Sequence, residues 1–200
     1  EIIHKLKEGN NIALISDAGM PTISDPGYQL IKKAHEEDII VDVVPGPTAL
    51  ISALALSGLP TDSFIFVGFL NRNSGKRQQQ LEKIKSEDRT LVFYEAPHRI
   101  EVVLKEMSQI LGERDCFVVR ELTKKYQEYY RGSISEVLQQ LKPKGEFVIV
   151  LAGNSEETEN KNYQQLAEIL KTKGLSNKDI IDVISQEYQI NKNVLKKELF

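Results

Sequence analysis

The sequence contains very little cysteine, since Cys116 is the single one among 200 residues. An intramolecular disulfide is therefore excluded, and we expect a reducing, cytoplasmic location. Cys116 opens an apolar run, residues 116–119, so we expect a buried structural thiol rather than a nucleophile. Long apolar runs are lacking as well. None approaches the ~20 residues that a membrane-spanning helix needs, and we expect no membrane partner.

The sequence also lacks an excess of positive charge. Its 26 lysine and arginine residues face 29 aspartate and glutamate residues, and the net charge is −3. Binding to nucleic acid would therefore depend on local basic patches. The glycine-rich signatures of dinucleotide and nucleoside triphosphate sites are absent, which argues against both. Residues 35–38 (His-Glu-Glu-Asp) are better explained as a solvated helix end than as a metal site, and no metal is predicted.

The first third of the chain alternates short apolar runs with helix-like stretches. We predict strands at residues 12–15, 39–44 and 64–68, separated by helices at residues 26–37 and 48–57. Asp25-Pro26 is a typical helix start, and Gly58 a typical helix end. Alternating strands and helices indicate an α/β fold with a mostly parallel sheet.

The rest of the chain continues the alternation and then becomes helical. Strands are predicted at residues 90–94, 116–121, 128–131 and 147–151, and helices at 74–86, 97–111 and 134–141. A polar, acidic stretch at 154–162 is predicted to be a linker, and short helices follow it, with Ser176 and Asn191 as caps. We therefore divide the chain into a partial α/β domain at 1–70, a second α/β domain at 71–153, and a linker with a helical bundle at 154–200.

Two loops rich in glycine and proline follow two of the predicted strands directly, at residues 16–21 and 45–49. Ligands of open α/β sheets bind beyond the carboxyl ends of strands, and small residues there let a ligand approach the backbone. Either loop alone is equally well explained as a sharp connection. Two such loops on neighbouring strands favour a ligand site.

Several stretches of the sequence resemble the tetrapyrrole-methylase superfamily. They are residues 13–28, 44–49, 67–70, 74–77, 93–99 and 120–124. Within the superfamily, the chain resembles most the bacterial enzymes that methylate a cytidine 2′-hydroxyl in the decoding region of 16S ribosomal RNA. The similarity runs in order over nearly the whole chain, including the helical tail.

This resemblance implies two α/β domains, the first incomplete, a small C-terminal helical domain, and S-adenosylmethionine bound between the α/β domains. It also implies a homodimer and the small ribosomal subunit as partner. The family has a further strand and loop upstream of the segment that opens this chain, and without them we expect weak or no cofactor binding and an inactive fragment. The cofactor-binding residues that it implies are Ser16, Asp17, Ala18, Gly19, Pro21, Thr48, Ala49, Tyr94 and Thr123, with Gly153 as a further position.

Candidate catalytic residues are Glu95, His98 and Glu121, near the ends of predicted strands. A base would help, because a ribose hydroxyl is a weak nucleophile. Each candidate has a structural alternative: Glu95 as a helix cap, His98 on a solvated first turn, and Glu121 in a surface ion pair with Lys124. The sequence leaves the identity of the base open.

Candidate RNA-binding residues concentrate around one predicted basic helix. They are Arg72, Lys76 and Arg77, together with Arg99 and Lys124. Phosphate contact is the functional interpretation, and a solvated helix face, partly offset by nearby acids, is the structural one. A tetrapyrrole methyltransferase would share the cofactor loops without needing these cations, and a non-catalytic RNA-binding protein would need the cations without the cofactor.

Overall fold

A computed structural model describes residues 1–154, 163–188 and 190–199. The chain divides into two compact units, Glu1–Asn154 and Ser155–Phe200. Residues 155–162, which make up most of the predicted linker, lie outside the described residues. No helix in the described part of the chain combines the length and the apolar character that crossing a membrane requires.

The first unit is built on one five-stranded sheet. Its strands are β1 (Phe64–Phe69), β2 (Thr90–Glu95), β3 (Asp115–Arg120), β4 (Glu128–Ser133) and β5 (Phe147–Leu151), in the order β1-β2-β5-β3-β4. Only β1 and β2 pair in parallel, and the other three pairings are antiparallel. The α/β class is confirmed, but the prediction of a mostly parallel sheet is wrong. Because β1 pairs with β2, the two predicted α/β domains share this sheet, and a boundary at residue 70 stays a prediction.

Helices cover both faces of the sheet. On one face lie α4 (Ser74–Lys83), α5 (Ile100–Leu111) and α6 (Ile134–Gln140), and on the other lies α3 (Ala49–Ser57). Strand β5 is buried along its whole length, as its uninterrupted apolar sequence indicates. The thiol of Cys116 is buried between strand and helices, and burial raises its pKa to about 12, which agrees with a structural role.

The two other predicted strands are not formed. Residues 12–15 and 39–44 join no sheet, and the chain before β1 contains α1 (Ile2–Lys7), α2 (Tyr28–Glu36) and α3. Ile15 is 84%, Ile40 94% and Val44 88% exposed. An apolar run expresses a tendency to be buried, whereas a strand also requires a neighbour that supplies a hydrogen-bonded ladder. These apolar side chains are neither buried nor part of a strand, so the prediction of two buried strands is wrong on both points.

The helices beside these segments test the predicted helix starts and ends. Helix α3 starts as predicted: the Thr48 side chain accepts a hydrogen bond from the Ile51 N–H. It ends at Gly58, whose φ of 76° is left-handed. Helix α2 starts at Tyr28, after Gly27, instead of at residue 26, and the carboxylate of the predicted cap Asp25 accepts a hydrogen bond from the Ser16 hydroxyl.

The second unit is a small helical bundle, as the sequence predicts. It consists of α7 (Tyr163–Thr172), α8 (Asn177–Tyr188) and α9 (Lys192–Leu199). Its fully buried side chains include Ile180, Ile184 and Leu195. The predicted caps are present: Ser176 Oγ accepts from the Asp179 N–H, and Asn191 Oδ1 from the Asn193 N–H.

Candidate active site

A cleft of about 880 Å³ opens where β2 and β3 end and β5 begins. Both predicted cofactor loops reach it, as does the chain that follows β2 and β3. The predicted residues that line it are Ser16, Asp17, Ala18, Gly19, Thr48, Ala49, Tyr94, Glu95, His98, Thr123 and Lys124. Residues far apart in the sequence are therefore brought to one site. Pro21, a predicted cofactor-binding residue, and Glu121, a predicted catalytic residue, are not among the residues that line it.

The two loops touch each other in the wall of the cleft. Gly19 has a φ of 79°, and a Cβ atom added to it would lie 3.7 Å from the Pro47 carbonyl oxygen. A Cβ atom added to Gly46 would lie 3.7 Å from Met20 Sδ. Ser16 Oγ donates to Asp25 and accepts from the Ala18 N–H, which closes the first loop on itself. The predicted proximity of the loops therefore holds, although the strands that were to position them are not formed.

Tyr94 joins the sheet to the second loop. Its hydroxyl oxygen accepts a hydrogen bond of 3.1 Å from the N–H of Leu50, in the first turn of α3. Its ring packs edge to face against Phe66 and Phe69, at centroid distances of 5.0 and 5.6 Å. Burial raises the pKa of Tyr94, so the phenol stays neutral at physiological pH. Tyr94 thus fixes where α3, and with it Thr48 and Ala49, meets the cleft.

Glu95 is a buried carboxyl group that lines the cleft with a relative exposure of 2%. Its Oε1 accepts a 2.8 Å hydrogen bond from the Ala96 N–H. Its Oε2 has no hydrogen-bond partner among the described residues, although Arg99 Nη2 lies 3.3 Å away. Burial raises the pKa of Glu95, because the charged form loses its hydration. A carboxyl group with a raised pKa and an unsatisfied oxygen is suited to proton transfer near neutral pH.

The other two catalytic candidates lie in different surroundings. His98 is exposed at the cleft, in the turn between β2 and α5. Glu121 accepts a 2.9 Å hydrogen bond from the Glu146 N–H and pairs with Lys124 at 3.2 Å. The backbone hydrogen bond from Glu146 is the main cause of a lowered pKa for Glu121. Glu121 is therefore a weak base outside the cleft lining, and its structural explanation is the better one.

The backbone near the cleft is strained. Thr22, Ser24, Glu121 and Thr123 have φ values between 50° and 71°, in the left-handed region that residues other than glycine rarely adopt. Ser24 and Thr123 line the cleft. Strained residues of this kind persist where the surrounding contacts hold them, and they concentrate at functional sites.

Two of the predicted RNA contacts have little exposed surface: Arg77 is buried and Arg99 is mostly buried. Arg77 is 5% exposed and donates to Glu106 and to the carbonyl oxygens of Asn71 and Arg72. The Arg99 side chain is 15% exposed and donates to the Leu70 carbonyl oxygen at 2.9 Å. Because both guanidinium groups donate to internal acceptors, a structural role explains them, and RNA contact by either stays a prediction.

The remaining predicted cations are accessible. Arg72 and Lys76 are exposed before and within the first turn of α4. Lys124 is also exposed, but its ammonium group lies 2.7 Å from Glu146 and 3.2 Å from Glu121. The charge of Lys124 is thus partly neutralised at the rim of the cleft.

Sequence reasoning also missed residues at this site. Asp25, Phe69 and Glu146 line the cleft but were not predicted as site residues. Glu146 immediately precedes β5, whose first residue, Phe147, pairs with Glu95 and Arg120. Nothing in the polar stretch 142–146 distinguishes Glu146 in the sequence. It lies at the cleft because β5 lies between β2 and β3 in the sheet, which the sequence does not reveal. Gly153, in contrast, does not line the cleft: a Cβ atom there would lie 1.9 Å from the Asp88 carbonyl oxygen.

Comparison with known proteins agrees with this architecture. The profile of the tetrapyrrole (corrin/porphyrin) methylases matches residues 1–138. In the solved structure of the methyltransferase CobJ, the similarity covers 76% of this chain and 69% of that one, with a TM-score of 0.57 and 19% sequence identity. At that identity the likeness concerns the fold alone.

Sequence relatives are considerably more similar. Ribosomal RNA small subunit methyltransferase I of Thermotoga maritima is 48% identical over 76% of this chain and 70% of its own length. The protein of the same name from Halalkalibacterium halodurans is 48% identical over 79% of this chain and 56% of its own length. That from Bacillus subtilis is 40% identical over 100% of this chain and 71% of its own length. The chain therefore belongs to the tetrapyrrole (corrin/porphyrin) methylase family, in the group of the ribosomal RNA small subunit methyltransferases I.

Proposed function

We propose that this chain carries the cofactor cleft of an S-adenosylmethionine-dependent methyltransferase that acts on the ribose 2′-hydroxyl of a cytidine in 16S ribosomal RNA. One observation carries the proposal: eight of the nine predicted cofactor-binding residues line a single cleft. The similarity to small-subunit ribosomal RNA methyltransferases, at up to 48% identity, supports the substrate class.

The chemistry of the cleft fits this cofactor. Asp17, Asp25, Glu95 and Glu146 line it, against one cationic side chain, that of Lys124. An acidic cleft attracts a positively charged ligand. S-adenosylmethionine, when bound, supplies a methyl group on a positively charged sulfur atom. Loop residues 16–19, Thr48 and Ala49 would hold it, together with Tyr94 and Thr123.

Glu95 is the residue that we assign as general base. Its carboxyl group lines the cleft, and its Oε2, which has no hydrogen-bond partner in the part of the chain that the structure describes, would accept the proton of the attacking hydroxyl group. The hydrogen bond from the Ala96 N–H to Oε1 holds the carboxylate in one orientation, so that little rearrangement precedes proton transfer. His98, exposed at the cleft beside it, is placed to pass the proton to solvent.

RNA binding is assigned to the accessible cations. Arg72 and Lys76 would contact phosphate groups of the substrate, and Lys124 would contribute at the rim of the cleft. The substrate would be 16S ribosomal RNA within the small subunit, and the protein would act in the cytoplasm as a homodimer. These assignments rest on the resemblance to the family together with the exposure of the side chains.

A methyl-transfer assay tests the proposal. The full chain is incubated with S-adenosylmethionine labelled in its methyl group, together with small ribosomal subunits or a tetrapyrrole precursor. Label in a ribose of 16S ribosomal RNA, and none in the tetrapyrrole, is the expected result. Label entering only the tetrapyrrole would overturn the substrate assignment. RNA binding without cofactor binding, and without transfer to either substrate, would favour the non-catalytic RNA-binding protein.

A further inference from the structure

An exposed tyrosine stands at the tip of the turn that connects β3 to β4. The Gln127 N–H donates to the Lys124 carbonyl oxygen at 3.2 Å, which places Lys125 and Tyr126 at the two central positions of the turn. Tyr126 is 63% exposed, and Lys125 is exposed as well. Neither belongs to the buried clusters of the first unit, so the fold does not depend on the aromatic ring.

The turn extends directly from the cleft. Thr123 and Lys124, the residues just before its tip, line the cleft. The Tyr126 ring is therefore attached two residues beyond the cleft wall. A ligand group bound at Tyr126 would belong to a molecule that also reaches the cleft, or to one that passes along its rim.

The base of the turn is held firmly. The Thr123 N–H donates to Gln127 Oε1, and the Lys124 N–H donates to the Glu121 carbonyl oxygen at 2.9 Å. Lys124 bridges Glu121 and Glu146. A turn that is already ordered loses little conformational entropy when its tip binds a ligand.

The tip combines an aromatic face with a positive charge. Lys125 Nζ lies 5.5 Å from the centroid of the Tyr126 ring. An exposed aromatic ring beside a cation is the combination that binds an unpaired nucleobase and its phosphate, by stacking and by charge attraction. The positive charge of the tip also differs from the charge of the adjoining cleft, which is acidic.

We propose that Tyr126 stacks on an unpaired base of the RNA substrate next to the target nucleotide, while Lys125 contacts the adjoining phosphate. The inference rests on the proposed function, since it assumes an RNA substrate at this cleft. It deepens that function by assigning a base-stacking site to the turn. Stacking requires an unpaired nucleotide, so this site selects RNA whose bases are open near the methylated ribose.

The absence of tryptophan from the chain makes a direct test possible. The variant Tyr126→Trp contains a single indole, whose fluorescence a stacked base quenches. The variant Tyr28→Trp is the matched control, because Tyr28 is 62% exposed and lies outside the cleft lining. The probes are a short single-stranded RNA, the same strand in a complete duplex, and S-adenosylmethionine.

We expect the single strand to quench the indole at position 126 and the duplex to have little effect on it. Neither RNA should quench the indole at position 28. Equal quenching at both positions would overturn the proposal, because it would indicate non-specific contact. Quenching at position 126 by S-adenosylmethionine alone would also overturn it, because the turn would then belong to the cofactor site.

Binding and activity measurements separate this inference from the proposed function. Tyr126→Ala should weaken single-stranded RNA binding roughly 5- to 100-fold, the range of one lost stacking contact, and Tyr126→Phe should restore it to within about twofold. In the methylation assay Tyr126→Ala should raise KM for the RNA substrate, with cofactor affinity unchanged. Methylation that is equal in wild type and Tyr126→Ala would overturn the stacking site alone. RNA binding that depends on Tyr126 without methylation would overturn the proposed reaction alone.

Discussion

Arg77 of α4 and Glu106 of α5 form a buried ion pair, in which Arg77 Nη2 donates to Glu106 Oε1 at 2.8 Å. Ser74 Oγ donates to the same oxygen at 2.9 Å. Arg77 Nη1 donates to the carbonyl oxygens of Asn71 and Arg72. The pair fastens the start of α4 to α5. It therefore also positions the exposed cations Arg72 and Lys76.

Arg77→Ala should destabilise the protein by about 3–5 kcal/mol, the cost of leaving one buried partner of an ion pair without the other. Chemical denaturation measures this free energy of unfolding. Lys76→Ala, next to it on the exposed side of α4, is the control and should change stability by less than about 0.5 kcal/mol. A small effect at Arg77 would mean that its guanidinium group is accessible after all.

The same pair predicts a loss of stability in acid. The hydrogen bond from Arg77 is the main cause that lowers the pKa of Glu106 below its ordinary value of 4.5. The stabilisation is therefore complete above about pH 4.5 and is lost as the pH falls through the lowered pKa. The difference in melting temperature between wild type and Glu106→Gln should be large at pH 7 and should shrink below about pH 4.5. A difference that is independent of pH would contradict the ionic description.

Lys76→Ala should weaken RNA binding and reduce the slope of log Kd against log salt by about one, since one phosphate contact is lost. Lys83→Ala, at the other end of α4, removes the same charge away from the proposed contact and is the control. Titration of labelled RNA at several salt concentrations measures both. Equal losses for the two variants would indicate a general charge effect without a localised contact.

Glu95→Gln should lower kcat by about 10²–10⁴-fold, the usual contribution of a general base, and leave cofactor affinity nearly unchanged. In the wild type, the rate should rise with pH through the pKa of Glu95, which burial holds above its ordinary value. This rise in the pH–rate profile should disappear in the variant. Because the ionised form is the destabilised one, the variant should also be more stable than wild type at neutral pH. An unchanged pH profile would exclude Glu95 as the base.

Gly153→Ala should destabilise the first unit strongly, because the added Cβ would lie 1.9 Å from the Asp88 carbonyl oxygen. This neighbour is a backbone atom, so the clash is relieved only if the backbone itself moves. Gly75→Ala is the control: its Cβ would meet its nearest atom, Asn73 Oδ1, at 3.5 Å, within α4. There the change should stabilise by about 0.5–1 kcal/mol through helix propensity. Thermal unfolding measures both. If Gly153→Ala were tolerated, the tight contact between residue 153 and Asp88 would be refuted.

Local signals in the sequence predicted most elements within a few residues. Thr48 and Gly58 bound α3 as expected, and the caps Ser176 and Asn191 are where the tail pattern placed them. Caps and turn glycines act through their own backbone neighbours, so the sequence contains the whole interaction. The cleft residues were identified for a different reason, since the resemblance to the family supplied their spatial grouping.

The sequence alone determined the type and order of the helices, the location of the two glycine- and proline-rich loops, and the family. Strand partners, the direction of pairing, and the burial of individual charges were decided by the tertiary structure. Residues 12–15 and 39–44 are apolar enough for strands but have no ladder, and Arg77 and Lys76 are neighbours in sequence with opposite environments. The physical reason is the same in both cases. A hydrogen-bonded neighbour or a buried counter-charge such as Glu106 comes from a distant part of the chain, and folding alone brings it into contact.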